Sequence, residues 1–136
     1  MDQQNDRQKN FDRCCDNYLL DLLLRIDRMQ KEAIVNQETA CISCSNSLTT
    51  FQNNTLPISF IMKCGGYLTV NVGISTDTTT YFRIESIRCD RYLTLRLLED
   101  VEGTLTATPY TITLDLECVC GVQCFEAISV TPCEIV

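Results

Sequence analysis

The chain predicts a mainly β fold, an antiparallel β-sandwich or barrel-like sheet, preceded by one long N-terminal amphipathic helix. Three observations carry this. Apolar residues recur at three- and four-residue spacing over residues 11–35, the one convincing helical period. From residue 56 onward, short alternating runs are separated by turn-forming residues. No strand-helix-strand alternation and no repeat period accompany them, which removes parallel α/β and solenoid architectures. At 136 residues the chain fits one domain, residues 1–136, able to bury roughly 65–70% of its unfolded surface without covalent staples.

In chain order, residues 1–10 are polar and expected to be a flexible N-terminus. The helix over 11–35 places Phe11, Cys15, Tyr18, Leu19, Leu22, Leu23, Ile26, Met29 and Ala33 on its apolar side, with Asp12 and Asp16 at the positive end of its dipole. Its length would be roughly 36 Å. Leu19-Leu20 and Leu22-Leu23-Leu24 widen the stripe, so the helix either packs wholly on its own sheet or also meets a neighbouring subunit. Residues 36–55, rich in Asn, Gln, Ser and Thr, are expected to be a mobile loop region that carries Cys41 and Cys44.

Residues 56–130 form the predicted β domain. Leu56 to Lys63 and Tyr67 to Ile74 flank Cys64-Gly65-Gly66, whose glycines suit a tight hairpin. Tyr81 to Arg88 and Tyr92 to Leu98 read as a second hairpin turning at Cys89-Asp90-Arg91, since Leu93, Leu95 and Leu97 alternate with Thr94 and Arg96. After a polar loop over residues 99–109 comes a strand from Tyr110, then a last strand from Val122 to Val130. If the Tyr110 strand runs unbroken, Tyr110, Ile112, Leu114, Leu116, Cys118 and Cys120 share one face. The thiols of Cys118 and Cys120 are then expected to continue the buried stripe.

Composition narrows the chemistry. The net charge is −7, and no Lys or Arg follows Arg96. Such a surface repels phosphate backbones, so nucleic acid is not an expected partner. No apolar stretch approaches the ~20 residues of a membrane span, and the first residues lack the apolar core of a signal peptide. Synthesis in the cytosol without a classical signal is therefore expected. With no histidine in the chain, Ser-His-Asp and Cys-His sites are impossible. Gly65-Gly66 lacks the Gly-Lys-Ser/Thr ending of a phosphate loop. Asp115 with Glu117 reads as a solvated or interfacial strand face, and Phe82-Arg83-Ile84-Glu85, with charges alternating beside a core pair, reads as a strand. No catalytic residue and no cofactor are expected.

Ten cysteines are more than a domain of this size needs for stability. The candidates for disulfides or cross-links are Cys14, Cys15, Cys41, Cys44, Cys64, Cys89, Cys118, Cys120, Cys124 and Cys133. The alternative is a zinc-thiolate site drawn from Cys41, Cys44, Cys118, Cys120 and Cys124, because tetrahedral zinc accepts thiolates from distant segments. Cys41-x-x-Cys44 as a redox pair lacks the strand-to-helix setting of thioredoxin-type sites. Cys14 and Cys15 diverge by roughly 100° around a helix, and Cys118 and Cys120 lie too far apart along an extended strand, so each needs a partner elsewhere. About 945 complete pairings exist, and spacing does not choose among them.

Phe82-Arg83-Ile84-Glu85-Ser86-Ile87, Cys89, Leu93 to Leu98, and Ile112-Thr-Leu-Asp115-Leu116-Glu-Cys118-Val-Cys120-Gly-Val-Gln-Cys124 resemble the CotY/CotZ/ExsY family of endospore coat and exosporium proteins. That family carries an FRVES-like strand and a VDLxCFCAIxC-like ending. The likeness runs from about residue 14 to 128 and takes in Cys15 and Cys41-x-x-Cys44; Val119, Gly121 and Val122 depart from the pattern, and Cys14, Cys64 and Cys133 are additional. The resemblance implies a non-enzymatic structural protein that self-assembles into a disulfide-cross-linked lattice. Its implied partners are copies of itself and other spore coat or exosporium proteins. Synthesis in the mother-cell cytosol, followed by oxidation as the coat matures, would reconcile a missing signal peptide with many cysteines.

Overall fold

The computed structural model describes residues 18–34 and 53–130. Residues 1–17, 35–52 and 131–136, and with them Cys14, Cys15, Cys41, Cys44, Cys133 and the outer parts of the predicted helix and loop, lie outside the described residues. The fold is mainly β, with one N-terminal helix, a five-stranded antiparallel sheet and a small second sheet.

Helix α1 (residues 18–34) buries Leu23 and Ile26 completely or nearly so, at 0% and 1% exposure. Its apolar stripe is narrower than the spacing suggests. Tyr18, Leu24 and Met29 are exposed, while polar Asp27 and Gln30 are turned inward. The strands are β1 (Ile58–Met62), β2 (Val70–Asn71), β3 (Thr78–Thr79), β4 (Tyr81–Arg88), β5 (Tyr92–Val101), β6 (Thr104–Asp115) and β7 (Val119–Cys124). The large sheet runs β6-β5-β4-β1-β7, and β2 pairs with β3.

The β4–β5 hairpin forms where alternation predicts it. Phe82 faces Leu97, Ile84 faces Leu95 and Ile87 faces Leu93, so the apolar residues of both strands share a side. Arg88 O accepts from Arg91 N, and the two residues between, Cys89 and Asp90, have φ of 54° and 53°. A type I′ turn requires left-handed backbone at both central residues, and its twist matches that of the flanking strands.

Elsewhere the chain departs from its predicted boundaries. Leu56 to Lys63 and Tyr67 to Ile74 form the predicted hairpin only near its turn: Gly65 and Gly66, at φ of 104° and 78°, reverse the chain, Met62 N donates to Gly66 O, Leu68 N donates to Phe60 O and Tyr67 bridges Ile61, after which Val70–Asn71 turns away to pair with Thr78–Thr79. Most of residues 99–109, expected as a loop, is strand, because β5 continues to Val101 and turns at once through Glu102 and Gly103 into β6. Within β6 the residues Thr108, Pro109 and Tyr110 bulge opposite Leu97, between the pairs Arg96–Thr111 and Leu98–Ala107. Proline has no N–H to give, so it sits where the ladder is already broken. Tyr110 then folds over residue 73. A Cβ there would stand 2.8 Å from the Tyr110 ring, and φ is +66°, so the site demands glycine. The predicted last strand ends early, at Cys124, and Ile128 only bridges to Thr55.

β1 joins β4 at Ile58–Phe82 and β7 along its whole length. Asp115, the end of β6, pairs with Tyr92 beside the β4–β5 turn, whereas Val119, three residues beyond Leu116, pairs with Met62. A link this short brings the Met62 end of β1 to the turn end of β4–β5. The β1–β7 pair therefore runs back across the interior that β4, β5 and β6 line, and the sheet curls upon itself. The core lies in that fold, with Ile58, Phe60, Phe82, Ile84, Leu93, Leu95, Leu97 and Leu114 packed with Leu23 and Ile26. Phe60 and Phe82 meet at 6.0 Å between ring centroids. Each fully buried side chain of this size contributes roughly 1.5–3 kcal/mol over its exposed state.

Where β1 and β4 part, Gln30 stands between them. Its Nε2 donates to Ile84 O at 3.0 Å and its Oε1 accepts from Leu56 N at 2.9 Å, so one side-chain amide replaces a rung of the ladder. The opposite face of β4 and β5 is charged and largely buried, with Arg83 and Arg96 nearly enclosed and Glu85 partly so. The register slips between Ile84 and Ser86, leaving Glu85 as the extra residue. Its carboxylate accepts from Arg83 Nη1 at 3.0 Å and Arg96 Nε at 2.8 Å. Arg83 is only 3% exposed and also donates to Thr55 Oγ1 and Ile84 O. Burial pulls its pKa down, and the negative charges of Glu85 and Asp27 oppose that. Asn54 and Thr55, within the region expected to be a mobile loop, are each 1% exposed; Asn54 exchanges two hydrogen bonds with the backbone of Val130.

Candidate functional site: exposed thiols at one end of the fold

The strand that begins at Thr104 stops at Asp115, whose carboxylate accepts from Glu117 N at 3.0 Å. Leu116–Cys118 then makes one 3-10 turn. This turn resets the alternation. Val119, not Cys118 or Cys120, becomes the inward residue at 3% exposure, and Cys118 and Cys120 are exposed. The expected burial of these thiols is therefore corrected: a stripe that counts by twos from Tyr110 holds only while the backbone stays extended.

The same turn brings together the segments that carry the thiols. Leu116 N donates to Arg91 O at 2.8 Å, which ties the turn to the Cys89 hairpin tip. Lys63 N donates to Cys118 O at 2.9 Å, and Gly65 N and Cys120 Sγ both donate to Met62 O, which ties it to the loop carrying Cys64. Cys64, Cys89, Cys118 and Cys120 thus project from three adjoining segments at one end of the fold. Cys124 lies at the far end of β7, opposite Ile58. All five described cysteines are free, exposed thiols.

Arg91 clamps this end. Its Nε and Nη2 bind the two oxygens of Asp115 at 3.0 and 2.9 Å, and Nη2 also meets Glu117 at 3.1 Å. The bidentate pair raises the Arg91 pKa and holds the Asp115 carboxyl below the usual carboxylate range. Since the Asp115 pKa is lowered on folding, its contribution is present above the unfolded carboxylate pKa and lost as pH falls through the folded value. The alternation alone offers Asp115 and Glu117 as a solvated or interfacial face; the Arg at the hairpin tip and the Asp that ends an alternating run are the signals for this clamp.

Among the described residues no group of three or more His, Cys, Asp or Glu side chains is placed to hold a metal ion. Of the zinc-thiolate alternative, Cys118, Cys120 and Cys124 are spread along β7 and its entry, while Cys41 and Cys44 lie outside the described residues. Among the described residues no helix is long and apolar enough to cross a membrane. Comparison with protein-family models, curated proteins and solved structures finds no match to the chain.

Two results are expected of the thiols. Replacing Cys118 and Cys120 together with Ser should leave unfolding of the reduced subunit within about 0.5 kcal/mol of the parent, because exposed sites carry little folding energy; a loss of several kcal/mol in urea titration would restore the buried reading. All five should be alkylated by iodoacetamide in the native state. Cys124 should react slowest near neutral pH, since desolvation pushes its thiol pKa up and thins its thiolate. Mass-spectrometric alkylation rates across pH check the order.

Proposed function

We propose that this chain is a structural, non-enzymatic subunit of the bacterial endospore surface that assembles with copies of itself, and with other coat or exosporium proteins, into a disulfide-locked lattice. The observation that carries the reading is the exposure of all five described thiols on a fold with an apolar core of its own. Thiols that staple a subunit belong inside or between its own segments; thiols that face solvent are available to a neighbour. Tyr18 and Met29, exposed on α1, support an apolar contact there. The subunit is made reduced in the mother-cell cytosol and oxidised later. Each bridge forms as two thiols lose two protons and two electrons to dioxygen, which becomes hydrogen peroxide, and reversible contacts become covalent ones.

Electron microscopy of the purified protein, with non-reducing gels, tests this reading. Sheets, rings or other ordered assemblies are expected, surviving boiling in detergent until a reductant is added. Cys14 or Cys15 is the proposed intersubunit bridge, so replacing both with Ser should shorten the gel ladder. An unchanged ladder moves the bridge to Cys133, Cys41, Cys44 or the exposed end described above. A monomer at every concentration and redox state overturns the proposal, and near-stoichiometric zinc in freshly purified, reduced protein would favour the zinc-thiolate or redox-regulatory alternative.

A further inference from the structure

We propose that the exposed side of α1 pairs antiparallel with α1 of a second copy, in the register that sets Asp21 of each helix against Arg28 of the other. This rests on the self-assembly reading and adds the surface, its orientation and its register. Tyr18, Leu22, Arg25 and Met29 recur at spacings of four, three and four, so they form one row along the helix. The row borders the face on which Leu23 and Ile26 are buried. Its apolar ends stand in solvent, Tyr18 at 66% and Met29 at 50% exposure, and Leu22 between them is half-buried. Residues at this spacing make the seam along which two helices cross at a shallow angle with their side chains interleaved.

The charges beside the row say what covers it. Asp21 and Arg28, seven residues apart, flank it on the solvent side, and both are exposed, as is Arg25. Among the described residues none of these three meets an opposite charge; the ion pair that α1 does make joins Asp27 to Lys31. A second copy supplies the complement, because one helix carries both signs. Interleaving lets one helix shift along the other only by whole repeats of seven residues, and the flanking charges choose among the shifts. With Tyr18 against Met29 and Leu22 against Arg25 of the second copy, the two-fold axis passes level with Leu23 and Leu24, and Asp21 stands beside Arg28 at both ends. One repeat further along, Arg28 meets Arg28. One repeat back, Asp21 meets Asp21. Parallel pairing sets Arg25 against Arg25 within the seam. Each alternative opposes like charges, which disfavours it.

Within the chosen register the Met29 thioether meets the Tyr18 ring, a favourable pairing of sulfur with an aromatic edge. Arg25 lays its aliphatic stem on Leu22 and keeps its guanidinium in water, next to Asp21 of the second copy. The overlap, residues 18–29 of each helix, is about 18 Å long. A seam of that length is smaller than the interface of a stable dimer. The pairing is therefore reversible by itself, as suits a contact that orders subunits before covalent bonds fix them.

The full-length chain, kept under reductant, tests this by charge exchange. Asp21→Lys and Arg28→Glu each turn both attractive pairs into repulsive ones, so each alone should weaken self-association in sedimentation roughly tenfold or more. Both positions are exposed, and unchanged melting curves show that the variants are folded. An equimolar mixture of isotope-labelled D21K with unlabelled R28E restores opposite charges at both ends of the seam. Native mass spectrometry of that mixture should therefore show mixed pairs well above the half that random pairing gives, whereas labelled and unlabelled parent chains should pair at random. Single variants that associate as the parent does, or a variant mixture that pairs at random, overturn the α1 seam while leaving self-assembly standing. A parent chain that is monomeric at every concentration overturns both.

Discussion

Glu85→Ala is expected to destabilise the subunit by about 3–5 kcal/mol, the usual cost of breaking a buried ion pair from one side. Arg83 and Arg96 are direct cross-strand partners, so without the carboxylate two guanidinium groups face each other at 3% and 8% exposure. Their hydrogen bonds to Thr55, Ile84 O and Thr108 O are to neutral groups, although the charge of Asp27 still acts on Arg83. Glu85→Gln should fall between the parent and the alanine variant, since the amide oxygen keeps one acceptor. Urea titration at fixed m value reads the loss, and because the network is shielded from solvent, added salt should recover little of it. A change below about 1 kcal/mol for Glu85→Ala would mean that the network behaves as a surface pair.

Gln30→Leu should cost roughly 2–4 kcal/mol, although leucine suits a helix and a buried site. The substitution leaves Leu56 N and Ile84 O without the amide that satisfies both, and a buried polar group without a partner carries most of its desolvation penalty. Gln30→Glu separates the two halves, because it keeps an acceptor for Leu56 N and removes the donor to Ile84 O. Hydrogen exchange supplies the local readout: the Leu56 amide should lose protection in the leucine variant while amides of β5 keep theirs. Equal protection in parent and variant would show that the seam between β1 and β4 is closed without Gln30.

The difference between what was legible and what was not is physical. The β4–β5 hairpin was readable because Leu93, Leu95 and Leu97 alternate against Phe82 and Ile84, and a two-sided ladder tolerates no slip between those faces. The helix was readable from its period, but not which of its residues turn inward. Tyr18 and Met29 fit the stripe and are exposed, while Gln30 is buried because two strands part beside it. That parting depends on a tertiary crossing of which residues 56–62 carry no local trace. The thiols were misplaced for a different reason. Counting by twos from Tyr110 to Cys120 passes over Asp115, a poor strand residue that readily caps a turn, and three residues of 3-10 geometry invert everything after it. Arg83 and Glu85, two apart on a strand, share a side; that they are buried follows from the cover given by Thr55, which sequence pattern assigned to a loop.

The curled sheet also dictates an order of events in time. Strands β4, β5 and β6 form an uninterrupted meander over residues 81–115, whose pairings close short loops and proceed on fast timescales. The contacts that shut the fold are of another kind: Asn54 reaches Val130 across 76 positions, and Ile58 waits for Cys124. Loop-closure entropy delays such contacts until the meander offers a surface to dock on. The thiol-bearing end follows the same schedule, since Cys89 is set when its hairpin turns, whereas Cys64 and Cys120 come alongside it only once β7 has crossed over. A chain whose β7 has not yet crossed over therefore shows a finished hairpin tip, but the segments that carry Cys64 and Cys120 do not yet stand beside it.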